Sequence, residues 1–82
     1  MYYFIVLKAQ SVAKGDENVA ISIKAARVNA GLTQKEVADG VGKTKNTIAS
    51  YESYTTVPDI QTAQAMAEMF GMSIDDIIWT KE

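Results

Sequence analysis

Apolar positions fall along this chain in two kinds of run. Residues 2–7, Tyr-Tyr-Phe-Ile-Val-Leu, are continuously apolar. From residue 18 onward apolar side chains recur three or four positions apart, the period of an α-helix with one buried face. Asn18 stands where a cap would stand, and Val19 to about Ala30 reads as a first helix. Ile21, Val28 and the alanines between them supply its buried stripe, and Gly31 ends it. Leu32 then packs beneath the turn into a second helix. Thr33 followed by Glu36 forms a capping box, Val37, Ala38 and Val41 make the inward stripe, and Gly42 closes it where left-handed geometry is needed. Gly40, inside that helix, is expected either to let another helix approach or to sit at a tolerant site. Thr44 caps a third helix whose Ile48 and Tyr51 face inward. The segment from Ser53 to Pro58 is a loop. Asp59 caps a fourth helix with Ile60, Ala63, Met66, Ala67 and Phe70 inside and Gly71 at its end. Ser73 and Asp76 form a second box-like start, so Ile74, Ile77, Ile78 and Trp79 read as a short, very apolar fifth helix.

The expected class is therefore all-α, with one small domain over residues 18–82 and an extension over 1–17. The run at 2–7 is too short to cross a bilayer and lacks a basic residue ahead of it, so it reads neither as a span nor as a signal peptide. Its β-branched and aromatic composition favours a strand. Three states are open to it: pairing with its copy in a second subunit, lying as a flap on the helical core, or poor order as a terminus. Residues 8–17 read as a linker turning at Gly15-Asp16.

Composition removes whole classes of chemistry. The chain has no Cys and no His, which excludes disulfides, thiolate metal sites and imidazole catalysis. No nucleophile–base pair or metal cluster is evident, so no enzyme, cofactor or metal is expected. The net charge of −2 is mildly unfavourable for a polyanion partner. Its distribution changes that picture. Residues 22–58 hold five bases, Lys24, Arg27, Lys35, Lys43 and Lys45, against three acids. Residues 59–82 hold Lys81 against five acids. The positive charge thus travels with the segment that contains the second and third helices, an asymmetry that orients a protein on nucleic acid.

The second and third helices are joined by a turn short enough to make them cross steeply. With Ile48 and Tyr51 inward, the third helix turns Thr44, Lys45, Asn46, Thr47, Ala49 and Ser50 outward, small, polar or cationic groups that fit a DNA groove. Lys35 and Lys43 are candidates for backbone contacts or plain solubilising charge. Met66, Met69 and Met72 read as core filler. Trp79 and its neighbouring isoleucines either close the core or form a dimer face.

On Arg27, Gly31-Leu32-Thr33-Gln34, Ala38, Gly42, Ile48, Glu52, Pro58-Asp59-Ile60-Gln61-Thr62 and Phe70 to Ile78, the chain resembles the Cro/CI-type helix-turn-helix family, the DNA-binding domains of lambdoid phage repressors and their bacterial relatives. The resemblance covers about Ile23 to Trp79. It implies a five-helix lambda-repressor-like domain whose third helix enters the major groove. It implies that Gln34 contacts a phosphate and braces that helix, and that Arg27 pairs with Glu52. Thr44, Lys45 and Asn46 take the positions that reach base edges first; Asn can bond adenine and Lys guanine. Thr47 lies on the same face, and Ser50 is a second reader or a phosphate ligand. Relatives often carry Gly with Lys or Arg in the loop after the third helix, where this chain has Tyr54-Thr55-Thr56-Val57. The hydroxyl of Thr55 can still bond phosphate, but without releasing counterions. The resemblance implies a cytoplasmic, dimeric transcriptional regulator of the repressor type on double-stranded DNA, with no membrane. The same fold also serves as the antitoxin of a toxin–antitoxin pair or as a protein-docking module.

Overall fold

The computed structural model describes residues 19–81. The readings for residues 2–7 and 8–17 and for a cap at Asn18 lie outside them. In chain order come β1 (Ile21–Ser22), α1 (Ile23–Asn29), α2 (Gln34–Val41), α3 (Lys45–Glu52), α4 (Ile60–Phe70), a single 3-10 turn (Ile74–Asp76) and β2 (Ile77–Ile78).

Local chemistry accounts for most boundaries. The Thr33 hydroxyl accepts the Glu36 amide while the Glu36 carboxylate accepts the Thr33 amide, a complete capping box. Gly42 and Gly71 close α2 and α4 at φ 71° and 68°, in the left-handed region. Thr44 caps α3 by accepting the Thr47 amide, and Asp59 caps α4 by accepting the Thr62 amide. Gly40 has a steric role: a Cβ built there would lie 2.6 Å from Sδ and Cε of Met69, so α4 packs against α2 where a side chain is missing.

Three expectations need correction. The first helix begins at Ile23, with Ser22 as its cap, because Ile21 and Ser22 are drawn into a parallel pairing with Ile77 and Ile78. A helical period cannot anticipate a partner from the far end of the chain. Val28 is consequently 55% exposed: with the face set by buried Ile23 and Ala26, it lies about 140° around the helix from Ile23. Ile21, in the strand, is only half-buried. At the other end, the expected fifth helix is a single 3-10 turn followed by β2. Ser73 caps it by accepting the Asp75 amide rather than that of Asp76. The described fold therefore has four α-helices, not five, with a two-stranded pair. Finally, the inward stripe of α4 starts at buried Thr62 and Ala63, which leaves Ile60, the first helical residue, 65% exposed.

The core is one cluster built by the four helices and β2: Ile23 and Ala26 from α1, Val37 and Ala38 from α2, Ile48 and Tyr51 from α3, Met66, Ala67 and Phe70 from α4, and Ile77 from β2. Leu32, Val41, Met69, Met72, Ile74 and Trp79 pack around it. The Trp79 indole donates to the Ile74 carbonyl at 2.9 Å, satisfying a half-buried N–H. Each element has its apolar side in this cluster, so α2 and α3 are held at a fixed crossing with their other sides exposed.

Candidate nucleic-acid interface

Three residues, Gly42, Lys43 and Thr44, join α2 to α3. The Lys43 amide bonds to the Ala38 carbonyl at 2.9 Å, completing the helix end around Gly42. This turn and the first turn of α3 expose Lys43, Thr44, Lys45 and Asn46, while Ile48 and Tyr51 are buried on the opposite side. Thr47 and Ser50 are half-buried beside the exposed four. The structure thus brings together Lys43, Thr44, Lys45, Asn46, Thr47 and Ser50 on and before one helix. Their roles differ. The Thr44 hydroxyl is engaged as the cap and shares a hydrogen bond of 3.0 Å with the Thr47 hydroxyl. Lys45 and Asn46 have no such engagement among the described residues and project their full hydrogen-bonding capacity outward.

Beneath this face lies an ion pair that fixes the geometry. Arg27 Nε donates to Glu52 Oε2 at 2.5 Å and Nη2 to Oε1 at 3.3 Å, a two-point guanidinium–carboxylate contact. Arg27 Nη1 also donates to the Leu32 carbonyl at 2.8 Å. Gln34 Nε2 donates to Glu52 Oε1 at 3.0 Å. Glu52, at the end of α3, is thereby tied to α1, and Gln34 braces it from the first residue of α2. The two ion-pair side chains are 12% and 5% exposed, so this pairing has to be satisfied for the fold to be stable. By contrast Lys35 pairs with Asp39 one turn along an exposed helix face, which contributes a few tenths of a kcal/mol at most.

The loop after α3 folds back on the helix end. The amides of Thr55 and Thr56 donate to the Ser50 carbonyl at 2.9 and 3.4 Å, and the Ser53 hydroxyl does so at 3.2 Å. The hydroxyls of Ser53 and Thr55 lie 2.8 Å apart, exposed and side by side. Thr55 is therefore near the end of α3, away from its Lys45–Asn46 start. Ser53 is a member of this cluster that the chain's pattern alone did not single out; a serine one residue after a helix carries no distinguishing signal. Electrostatically, Asp59 lies close enough to the turn to feel the charge of Lys43. The hydroxyl of Thr62 first and its amide second hold the Asp59 carboxyl below its ordinary value of 3.8, with a further contribution from the charge of Lys43. Asp59 remains ionised and offsets part of the positive charge of Lys43.

Among the described residues no group of His, Cys, Asp or Glu is placed to hold a metal, and no helix is long and apolar enough to cross a membrane. Comparison with known proteins bears on residues 23–77, which match the family model described as Helix-turn-helix. Over 60 residues, 73% of the chain, it is 37% identical to the cryptic phage CTXphi transcriptional repressor RstR of Vibrio cholerae. It is 30% identical over 60 residues to the uncharacterized HTH-type transcriptional regulator YgzD of Bacillus subtilis strain 168. The matched stretch spans 54% of the length of the first and 91% of the second. No solved structure matches the chain significantly. A capped helix pair on a three-residue turn, the buried Arg27–Glu52 brace and a family match over most of the chain lead to one assignment: the protein belongs to the Cro/CI-type helix-turn-helix family.

Proposed function

We propose that the chain is a sequence-specific DNA-binding transcriptional regulator of the repressor type, acting as a homodimer without catalytic activity. The observation that carries this reading is α3: capped at Thr44, packed through Ile48 and Tyr51, and presenting Lys45 and Asn46 unencumbered. A helix so held presents its N-terminal side chains to base edges in a major groove. Asn46 supplies the paired donor and acceptor that adenine requires, and Lys45 donates to the O6 and N7 acceptors of guanine. Lys43, Gln34 and Thr55 lie around α3 as contacts to the sugar-phosphate backbone, with Thr44, Thr47 and Ser50 completing the face. The backbone contacts set register, and the base contacts set sequence.

Selection of bound duplexes from a random DNA pool tests the reading. The expected product is a two-fold symmetric sequence with half-site centres about one helical turn, ~34 Å, apart. The double substitution Lys45→Ala, Asn46→Ala is expected to weaken binding of the selected duplex by about tenfold or more while leaving thermal stability intact. A pool that shows no enrichment, or an unaltered affinity in the double variant, would overturn it.

A further inference from the structure

Tyr54 has a left-handed backbone, φ 61°, and it is the only non-glycine residue with positive φ among the described residues. A tyrosine is strained there, and such strain persists only where the surroundings hold the residue in place. Its side chain shows what does so. The Tyr54 hydroxyl donates to the Ile78 carbonyl of β2 at 2.9 Å and accepts the Ile23 amide, at the junction of β1 and α1, at 3.4 Å. One phenol therefore bridges the first and last elements of the described fold. Its backbone meanwhile belongs to the loop that closes α3: the Tyr54 amide donates to the Tyr51 carbonyl, and the next two amides converge on Ser50. One side of the ring packs on the core, while Tyr54 also lines an open groove of about 490 Å³ with Ser22, Ile78, Thr80 and Lys81. Packing on one side alone leaves the ring's position to the hydroxyl bonds.

We infer that Tyr54 is a positioning residue: it ties the loop after α3 to the β1–β2 pair and so holds the paired hydroxyls of Ser53 and Thr55 beside the DNA backbone, where the Thr55 proton can turn from Ser53 to a phosphate oxygen. This rests on the DNA-binding reading above for its consequence, though not for its structural part. In a loop that carries no lysine or arginine, phosphate contacts must come from neutral hydroxyls and amides, which are effective only when their directions are fixed. A glycine would adopt the same φ without strain, but it would leave the loop untied. The tyrosine accepts the strain and supplies the tie.

The test uses Tyr54→Phe and Tyr54→Gly in the full chain. Amide hydrogen exchange is followed in the free protein, and affinity is measured for the selected duplex. In both variants exchange at Thr55 and Thr56 is expected to quicken while amides of α2 keep their protection. Tyr54→Gly, which suits the backbone, guards against a variant that simply fails to fold. Tyr54→Phe is expected to weaken DNA binding about fivefold, the worth of one hydrogen-bonded contact. That loss should vanish when Ser53 and Thr55 are already alanine, an interaction that a merely structural role would not produce. An equal loss in both backgrounds, or unchanged exchange at Thr55 and Thr56, would refute the inference. If the unmodified protein binds no duplex, the functional reading fails, and the exchange data still decide whether Tyr54 positions the loop.

Discussion

Glu52 is the residue on which the geometry of α3 depends most. It accepts from Arg27 and Gln34 together, and so joins α1, α2 and α3 at one carboxylate. Removing one partner of a buried pair leaves the other charge without compensation, at a cost of about 3–5 kcal/mol. That is a large fraction of the total stability of a small domain, about 5–15 kcal/mol. Glu52→Ala should therefore shift the denaturant midpoint strongly downward. Combining it with Arg27→Met should cost less than the sum of the two single changes. Gly40 tests packing rather than charge. Alanine there gains about 1 kcal/mol of helix propensity but must displace the end of the flexible Met69 side chain, so Gly40→Ala should be close to neutral. Gly40→Val cannot be accommodated so cheaply and should lower stability by about 1–3 kcal/mol, measured by thermal or denaturant unfolding.

At the scale of elements, helix ends rest on single side chains, and one of them titrates. Asp59 at the start of α4 has its carboxyl held below 3.8 by Thr62 and, more weakly, by Lys43. The folded protein thus binds this proton less readily than the unfolded chain. The stability contributed is complete above the ordinary value and is lost as pH falls through the lower folded value. Asp59→Asn, which keeps a capping side chain but cannot ionise, should flatten the decline of Tm below roughly pH 4, measured alongside the parent protein. These caps were also the part of the fold most legible in the sequence. Thr33 with Glu36, Gly42, Thr44, Asp59 and Gly71 act on amides or backbone angles within a few residues, so their spacing alone identifies them. Ile21–Ser22 and Ile77–Ile78 read as helix from their pattern because each strand exists only through the other. Their apolar residues satisfy a helical period equally well. The exposed face of α3 was legible by elimination once Ile48 and Tyr51 were assigned inward. The Gln34–Glu52 bond was foreshadowed only as a brace implied by resemblance, and the Tyr54 bridge not at all. A tyrosine in a loop gives no sign that its hydroxyl reaches a strand 24 residues further on.

For the molecule as a whole, one core cluster means one cooperative transition. Ile77 belongs to the same buried set as Ile23, Val37, Ile48 and Met66, and Trp79 packs against it. Emission from Trp79, the only tryptophan, reports the docking of the β2 segment, whereas far-ultraviolet circular dichroism reports the helices. The two should follow coincident denaturant transitions; an earlier tryptophan transition would show that the β2 segment detaches on its own. The charge asymmetry belongs to this scale too. The acid-rich residues 59–82 follow the turn and α3 in sequence, and Asp59 is the acid that couples to the basic turn through Lys43.

The pairing of β1 with β2 bears on how the protein is made. A ribosome releases Ile21 early, but Ile77 and Ile78 emerge only near the end of this sequence. Until then Ile21 and Ser22 lack their pairing partners, the core lacks Ile77, and the Tyr54 hydroxyl lacks its acceptor. Helices α1 to α4 can form on the emerging chain, but they cannot settle into their final arrangement. A chain cut short before Ile77 would thus have the helices without the finished fold. The fold thus waits on Ile77 and Ile78 before α3 and its following loop are locked in place.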